Sequence, residues 1–206
     1  MSIKIKISRK PVEYDKAISY LEKKVRLLNS QKEDELLWIL SHPNTYTAGI
    51  STSSDEIINK SIKIINTNRG GKITWHGPGQ KIFYFVINLS NRDKDIRKFV
   101  GLIEKIIIDT LKEYKIKSFS DKKNIGIWVK KNKKIKKIAA IGIRVRRWIA
   151  YHGCSININI HLKKYDKIIH CGIKNRGVTN LNEIKKQNYK NFNNVFIKNF
   201  LKHLKS

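Results

Sequence analysis

Apolar residues recur at two different periods along the chain. In residues 15–28, Ile18, Leu21, Val25 and Leu28 fall three or four apart with lysines and Glu22 between them, the spacing of one helical face. Phe99, Ile103, Ile106 and Leu111 predict a second helix over residues 99–114. Val195, Phe196, Phe200, Leu201 and Leu204 predict a third that closes the chain. Elsewhere the pattern is that of strands. Residues 36–40 form a compact apolar run, and Ser41-His42-Pro43-Asn44 breaks it into a loop that continues through Gly49. Residues 81–89 are apolar on both faces apart from Lys81 and Asn88, as expected of a central strand covered on both sides. Residues 124–129 and 135–145 alternate around a lysine-rich turn at 130–134, which predicts a hairpin, and a further strand follows at 153–160. The elements predict an α/β (α+β) fold, a mixed sheet flanked by helices and not doubly wound. At 206 residues the prediction is a single domain, 1–206.

Composition narrows the partners. The formal charge of +28 suggests nucleic acid or an acidic membrane surface first. The lysines are nevertheless scattered through every segment, beside abundant isoleucine and asparagine, and no helix-turn-helix, zinc-finger or aromatic RNA-binding signature accompanies them. A positive surface would equally attract an acidic protein partner. No stretch approaches the roughly 18 apolar residues of a membrane span, and the start carries no apolar block with a cleavage site, so a cytoplasmic protein is expected. Two cysteines, Cys154 and Cys171, make neither a disulfide framework nor a four-thiolate metal site.

The densest chemistry lies in residues 69–80, Arg69-Gly70-Gly71-Lys72-Ile73-Thr74-Trp75-His76-Gly77-Pro78-Gly79-Gln80, set directly before the central strand. Glycines admit close backbone approach, while arginine and histidine bring donors and a titratable ring. The segment lacks the Gly-Lys-Ser/Thr ending of a phosphate loop and the spacing of a dinucleotide fingerprint. His42, His76, His152 and His170 show no metal-ligand spacing, so no metal and no cofactor are expected.

Period two in the hairpin puts Lys137 on one face with Ile135, Ala139, Ile141 and Ile143, and Lys136 on the other. An ammonium turned toward an apolar interior loses solvation, which makes proton exchange near neutral pH feasible, although a lysine can also snorkel out at a strand end. Cys154 shares a face with Ile156, Ile158 and Ile160 and reads as an inert core thiol. Cys171 stands where Ile168-Ile169-His170 meets the turn from Gly172 to Gly177, a place that exposes a side chain, with cations near enough to favour a thiolate. A buried thiol stays open as the alternative.

Arg69-Gly70-Gly71-x-x-Thr74-x-His76-x-x-Gly79-Gln80, Lys137-Ile138-Ala139-Ala140-Ile141-Gly142, His152-Gly153 and Cys171-Gly172-Ile173 together resemble the lipoyl(octanoyl) transferase family, also called lipoate-protein ligase B. Lesser echoes are His42-Pro43 with Tyr46-Thr47-Ala48-Gly49, and Gly126-Ile127-Trp128-Val129. The resemblance runs in order through nearly the whole chain. It implies a biotin/lipoyl protein ligase-like (class II synthetase-like) fold. It implies transfer of an octanoyl group from octanoyl-acyl carrier protein to a lysine of the lipoyl domains of 2-oxoacid dehydrogenases and of glycine cleavage H protein, without ATP or other cofactor. Carried over by motif, Cys171 matches the nucleophile that forms the acyl thioester and Lys137 the lysine that lowers its pKa. Arg69, Gly70, Gly71, Lys72, Ile73, Thr74, Trp75 and His76, then Ala140, Ile141 and Gly142, then Gly153, Cys154 and Ser155, match segments lining the substrate pocket. Cys154 departs from the apolar or small residue more usual at its position, which leaves adventitious acylation of a second thiol open. The rivals are an ATP-dependent lipoate or biotin ligase of the same fold, against which Cys171 argues, and a basic nucleic-acid-binding module. A monomer is the default expectation.

Overall fold

The computed structural model describes residues 2–169 and 176–205; residues 170–175, which include His170, Cys171, Gly172 and Ile173, lie outside the described residues. Among the described residues seven strands form the main sheet, in the order β1 (Ile3–Ile7), β2 (Glu35–Leu40), β6 (Gln80–Asn88), β10 (Ile149–Asn157), β9 (Lys134–Arg146), β8 (Ile127–Lys131) and β7 (Phe119–Ser120). Among the described strands of this sheet β1 and β2 run parallel and the other neighbours antiparallel, so the sheet is mixed. A smaller sheet sets β3 (Thr45–Ala48) between β4 (Ile64–Asn66) and β5 (Thr74–His76).

Alternation in β6 feeds two cores. Ile82, Tyr84 and Val86 meet Leu36, Trp38 and Leu40 of β2 under helix α1 (Tyr14–Asn29), whose Ala17, Leu21, Val25 and Leu28 recur at helical spacing. Phe83, Phe85 and Ile87 turn to the other face. There they pack against Phe99, Ile103 and Ile106 of α2 (Ile96–Glu113) and, past the single turn α3 (Leu181–Ile184), against Phe196 and Phe200 of α4 (Phe192–Lys205). Phe83 and Phe196 stack with ring centroids 3.7 Å apart. Asp95 caps α2 by accepting from the amides of Arg97 (2.8 Å) and Lys98 (3.0 Å), two of the donors that a helix start leaves without partners.

The mixed sheet, its helical flanks, the buried central strand and the hairpin are as the sequence predicts. Three details differ. Residues 45–48 form a strand and not a loop, because β4 and β5 supply partners far away in sequence. The hairpin turn is only Asn132-Lys133, both at positive φ (49° and 61°), so the flanking lysines belong to the strands. The strand predicted at 153–160 runs from Ile149 to Asn157 instead, entered through a tight turn at Arg147-Trp148, again at positive φ (48° and 62°).

Candidate active site

The site is built on β9 and on one irregularity in it. Trp128 of β8 pairs with Lys137 while its neighbour Ile127 pairs with Ala139, so Ile138 is an extra residue, a β-bulge. Ile138 and Ala139 both reach the α2/α4 core, and Lys137 is turned to the opposite face of the sheet. This corrects the alternation read from sequence, which put Lys137 on the face of Ala139 and Ile141. Lys137 is buried all the same, 3% exposed. Its Nζ donates to the carbonyl of Ile125 (3.0 Å) and lies 4.6 Å from the centre of the Trp128 ring. Gly126, at φ 128°, makes the fit possible: a Cβ there would stand 2.8 Å from the Ala139 carbonyl oxygen and 3.2 Å from Lys137 Cε.

Pairing with β8 stops at Ala139, so the rest of β9 presents an edge. The Gly70 amide donates to the Ile143 carbonyl on that edge (3.3 Å), bringing the glycine-rich segment alongside it. Between them opens a cavity of about 570 Å³, within the roughly 300–1,000 Å³ of small-molecule sites. On the face shared with Lys137 its floor is made of small residues in cross-strand pairs, Ala140 opposite Ser155 and Gly142 opposite Gly153. A Cβ on Gly153 would collide with the Phe83 carbonyl oxygen at 1.9 Å, and one on Gly142 would press on Arg69 Cδ at 3.2 Å. On the other side of the edge the wall is apolar, from Ile96, Val100, Ile141 and Ile143.

The glycine-rich segment is held open by its own arginine. Arg69 Nη1 donates to the carbonyls of Gly70 (3.0 Å) and Lys72 (2.9 Å), and Nη2 to the carbonyl (2.9 Å) and hydroxyl (2.8 Å) of Thr47. Beyond it, alternation along β5 sorts the residues: Thr74 and His76 line the cavity, whereas Ile73 and Trp75 face a small separate core with Tyr46 and Tyr165. Lys72 lines the cavity and pairs with buried Glu56. His76 Nδ1 donates to Gln80 Oε1 (2.7 Å), and Gln80 Nε2 donates onward to Asn157 (2.8 Å), which explains the glutamine four residues on.

Burial sets the protonation of His42, His152 and the described thiol. His42 donates from Nδ1 to the Val12 carbonyl (2.6 Å) and accepts at Nε2 from Tyr84 OH (2.8 Å); desolvation lowers its pKa to about 4. His152 is lowered to about 3, first by desolvation and then by the cations of Arg69 and Arg144. Cys154, 3% exposed among Phe83, Ile156 and their neighbours, touches the cavity, and burial pushes its thiol well up, so it stays protonated and unreactive.

Of the residues expected from sequence, Arg69, Gly70, Gly71, Lys72, Thr74, His76, Lys137, Ala140, Ile141, Gly142, Gly153, Cys154 and Ser155 come together around one cavity. Ile73 and Trp75 do not, and Cys171 is outside the described residues. The chain is described again from Arg176, whose guanidinium donates to Asp121 (2.5 Å), and Val178 then forms a parallel bridge with Lys137 itself. Sequence reasoning missed Tyr84 and the Ile96–Val100 turn of α2, since both carry ordinary core patterns; only the sheet register brings them to the cavity.

Residues 13–204 match the family model described as the lipoyl protein ligase A/B catalytic domain, and the chain belongs to that family. Within it the chain aligns with octanoyltransferases. It is 46% identical to the one from Ehrlichia ruminantium (strain Gardel) over 178 residues, 85% of this chain and 86% of that protein. It is 41% identical over 205 residues to the one from Anaplasma phagocytophilum (strain HZ), 98% and 99% of the two chains. The fold is that of a solved lipoate-protein ligase A bound with ATP, at a TM-score of 0.77 and 16% identity over 100% of this chain and 86% of that one. More distantly it matches a biotin protein ligase from Aquifex aeolicus in complex with biotin and ATP, at a TM-score of 0.58 and 17% identity over 98% and 70%.

Proposed function

We propose that the chain moves an octanoyl group from octanoyl-acyl carrier protein to a lysine of a lipoyl domain through a thioester on Cys171. In the first step the Cys171 thiolate attacks the donor carbonyl; the new C–S bond forms as the old one breaks, and the carrier thiol leaves with a proton. In the second step the lysine amine attacks the enzyme thioester. The C–N bond forms, the C–S electron pair returns to Cys171, and one amine proton is passed on. Lys137 accepts the thiol proton first and handles the amine proton afterwards. Because the acyl group arrives already activated as a thioester, the reaction needs no nucleotide.

The observation that carries this reading is the buried side-chain amine of Lys137 on the wall of the cavity, bridged through its backbone to Val178, seven residues beyond Cys171. An unperturbed thiol is only a few per cent ionised at neutral pH, so a proton acceptor beside it has a definite task. The apolar wall suits the acyl chain, whose burial contributes roughly 0.8 kcal/mol per methylene. The net charge of +28 suits acidic protein partners. Among the described residues no helix is long and apolar enough to cross a membrane, and two cysteines suit the reducing cytoplasm that we assign to the reaction.

The test is a pair of variants. Cys171→Ser is expected to lose transfer from octanoyl-acyl carrier protein while its circular dichroism stays that of the parent; full activity would overturn the role. Lys137→Ala is expected to move alkylation of Cys171 by iodoacetamide to higher pH, and an unmoved profile would separate the two residues.

A further inference from the structure

Lys137 stands at one end of the small-residue floor. His152, opposite Ile143 in the sheet register, stands at the other, roughly 17 Å further along β9 at the usual rise per residue. An acyl chain attached near Lys137 and laid over Ala140, Gly142 and Gly153 therefore points its far end at His152.

That end of the cavity is polar in a specific way. His152 is fully buried and holds φ at 67° inside a strand, a conformation uncommon for residues other than glycine. Its ring thereby reaches Asn68, whose Oδ1 lies 2.8 Å from Nε2. The Asn68 amide is oriented by Glu22: a carboxylate only accepts, so Asn68 Nδ2 donates to Glu22 Oε1 (3.0 Å) and Oδ1 faces the imidazole. Oδ1 in turn only accepts, so the hydrogen sits on His152 Nε2 and Nδ1 is left with a bare lone pair. No described residue bonds that Nδ1, and no described residue bonds Arg69 Nε, a donor that is buried at the same end. His152 and Arg69, both lining the cavity, thus carry a buried acceptor and a buried donor without described partners, at the end where a saturated chain would offer only a methyl group. Leaving such groups without partners is costly.

We propose that this end of the cavity is a subsite for a hydroxyl at the distal end of an eight-carbon acyl chain, which donates to His152 Nδ1 and accepts from Arg69 Nε. A hydroxyl is the smallest group able to do both. The subsite deepens the octanoyl reading and rests on it: it widens the substrate class from plain octanoyl to octanoyl chains bearing a terminal O–H.

The experiment compares octanoyl-pantetheine with 8-hydroxyoctanoyl-pantetheine as donors, with acylation of Cys171 followed by intact mass. The quantity read is the hydroxyoctanoyl-to-octanoyl ratio of kcat/KM. The ratio is expected to fall roughly tenfold from the parent to His152→Leu. It is expected to survive in His152→Asn, whose side-chain oxygen stands where Nδ1 stood and whose backbone tolerates positive φ. A ratio equal in all three proteins overturns the subsite. Should the leucine variant not fold, 8-fluorooctanoyl-pantetheine, with a polar end but no hydrogen to donate, decides in the parent enzyme: a fivefold preference for the hydroxyl supports the subsite and equal rates overturn it. Absence of any adduct on Cys171 in the parent would bring down the octanoyl reading and the subsite together, whereas an adduct without discrimination between tails would bring down the subsite alone.

Discussion

The two halves of β9 contrast. From Lys134 to Ala139 the strand pairs with β8, interrupted by one bulge, and Lys137 also bridges Val178; β10 lies alongside only from Ala139 to Arg146. From Ala140 onward its outer edge belongs to the glycine-rich segment, and bulky side chains give way to Ala140 and Gly142 on the cavity face. Where β8 runs alongside, one lysine is fixed; where β8 has ended, a channel opens leading away from it. The buried lysine and the channel beside it are thus set by where β8 stops.

The contrast fails first, and hardest, if the channel floor can take side chains. Gly153→Ala puts a Cβ 1.9 Å from a backbone oxygen that has no room to retreat, and a loss of more than about 4 kcal/mol, seen as a collapse of the urea midpoint, is expected. Arg69→Met keeps bulk but strips the buried carbonyls of Thr47, Gly70 and Lys72 of a charged donor. A loss of about 3 kcal/mol is expected in the same measurement.

How much of this was legible follows from what decides each feature. Helix α1 announced itself because Leu21, Val25 and Leu28 recur at the helical period, and β6 because residues 82–87 are apolar without a break. The bulge at Ile138 was invisible: Lys137, Ala139 and Ile141 keep perfect alternation in sequence, and only pairing with Ile127 and Trp128 reveals the extra residue. The turn at Arg147-Trp148 hid for a different reason, since positive φ is normally signalled by glycine or asparagine. In the site, the motif segments were legible as sequence, but their division into cavity and core, Thr74 and His76 against Ile73 and Trp75, needed the β5 alternation.

A subtler break concerns pH. In the unfolded chain His42 takes a proton near pH 6.5, whereas in the folded protein it stays neutral down to about 4. Its contribution is full above pH 6.5 and is lost as pH falls toward 4, on the order of 3 kcal/mol. Urea titrations should therefore show stability falling across that window, with a shallower fall in His42→Gln; identical slopes would contradict the buried neutral ring. The smallest effect expected is Gly101→Ala on α2, at an exposed position where an added Cβ meets nothing within 4 Å. It should raise stability by roughly 0.5–1 kcal/mol with transfer unchanged.

The most direct test of the central claim sets one thiol against the other. After incubation with octanoyl-acyl carrier protein and no acceptor, intact mass and peptide mapping are expected to find a single octanoyl group on Cys171, none on the buried Cys154, and none at all in Cys171→Ser. An octanoyl group on Cys154, or transfer that proceeds in Cys171→Ser, would contradict the account.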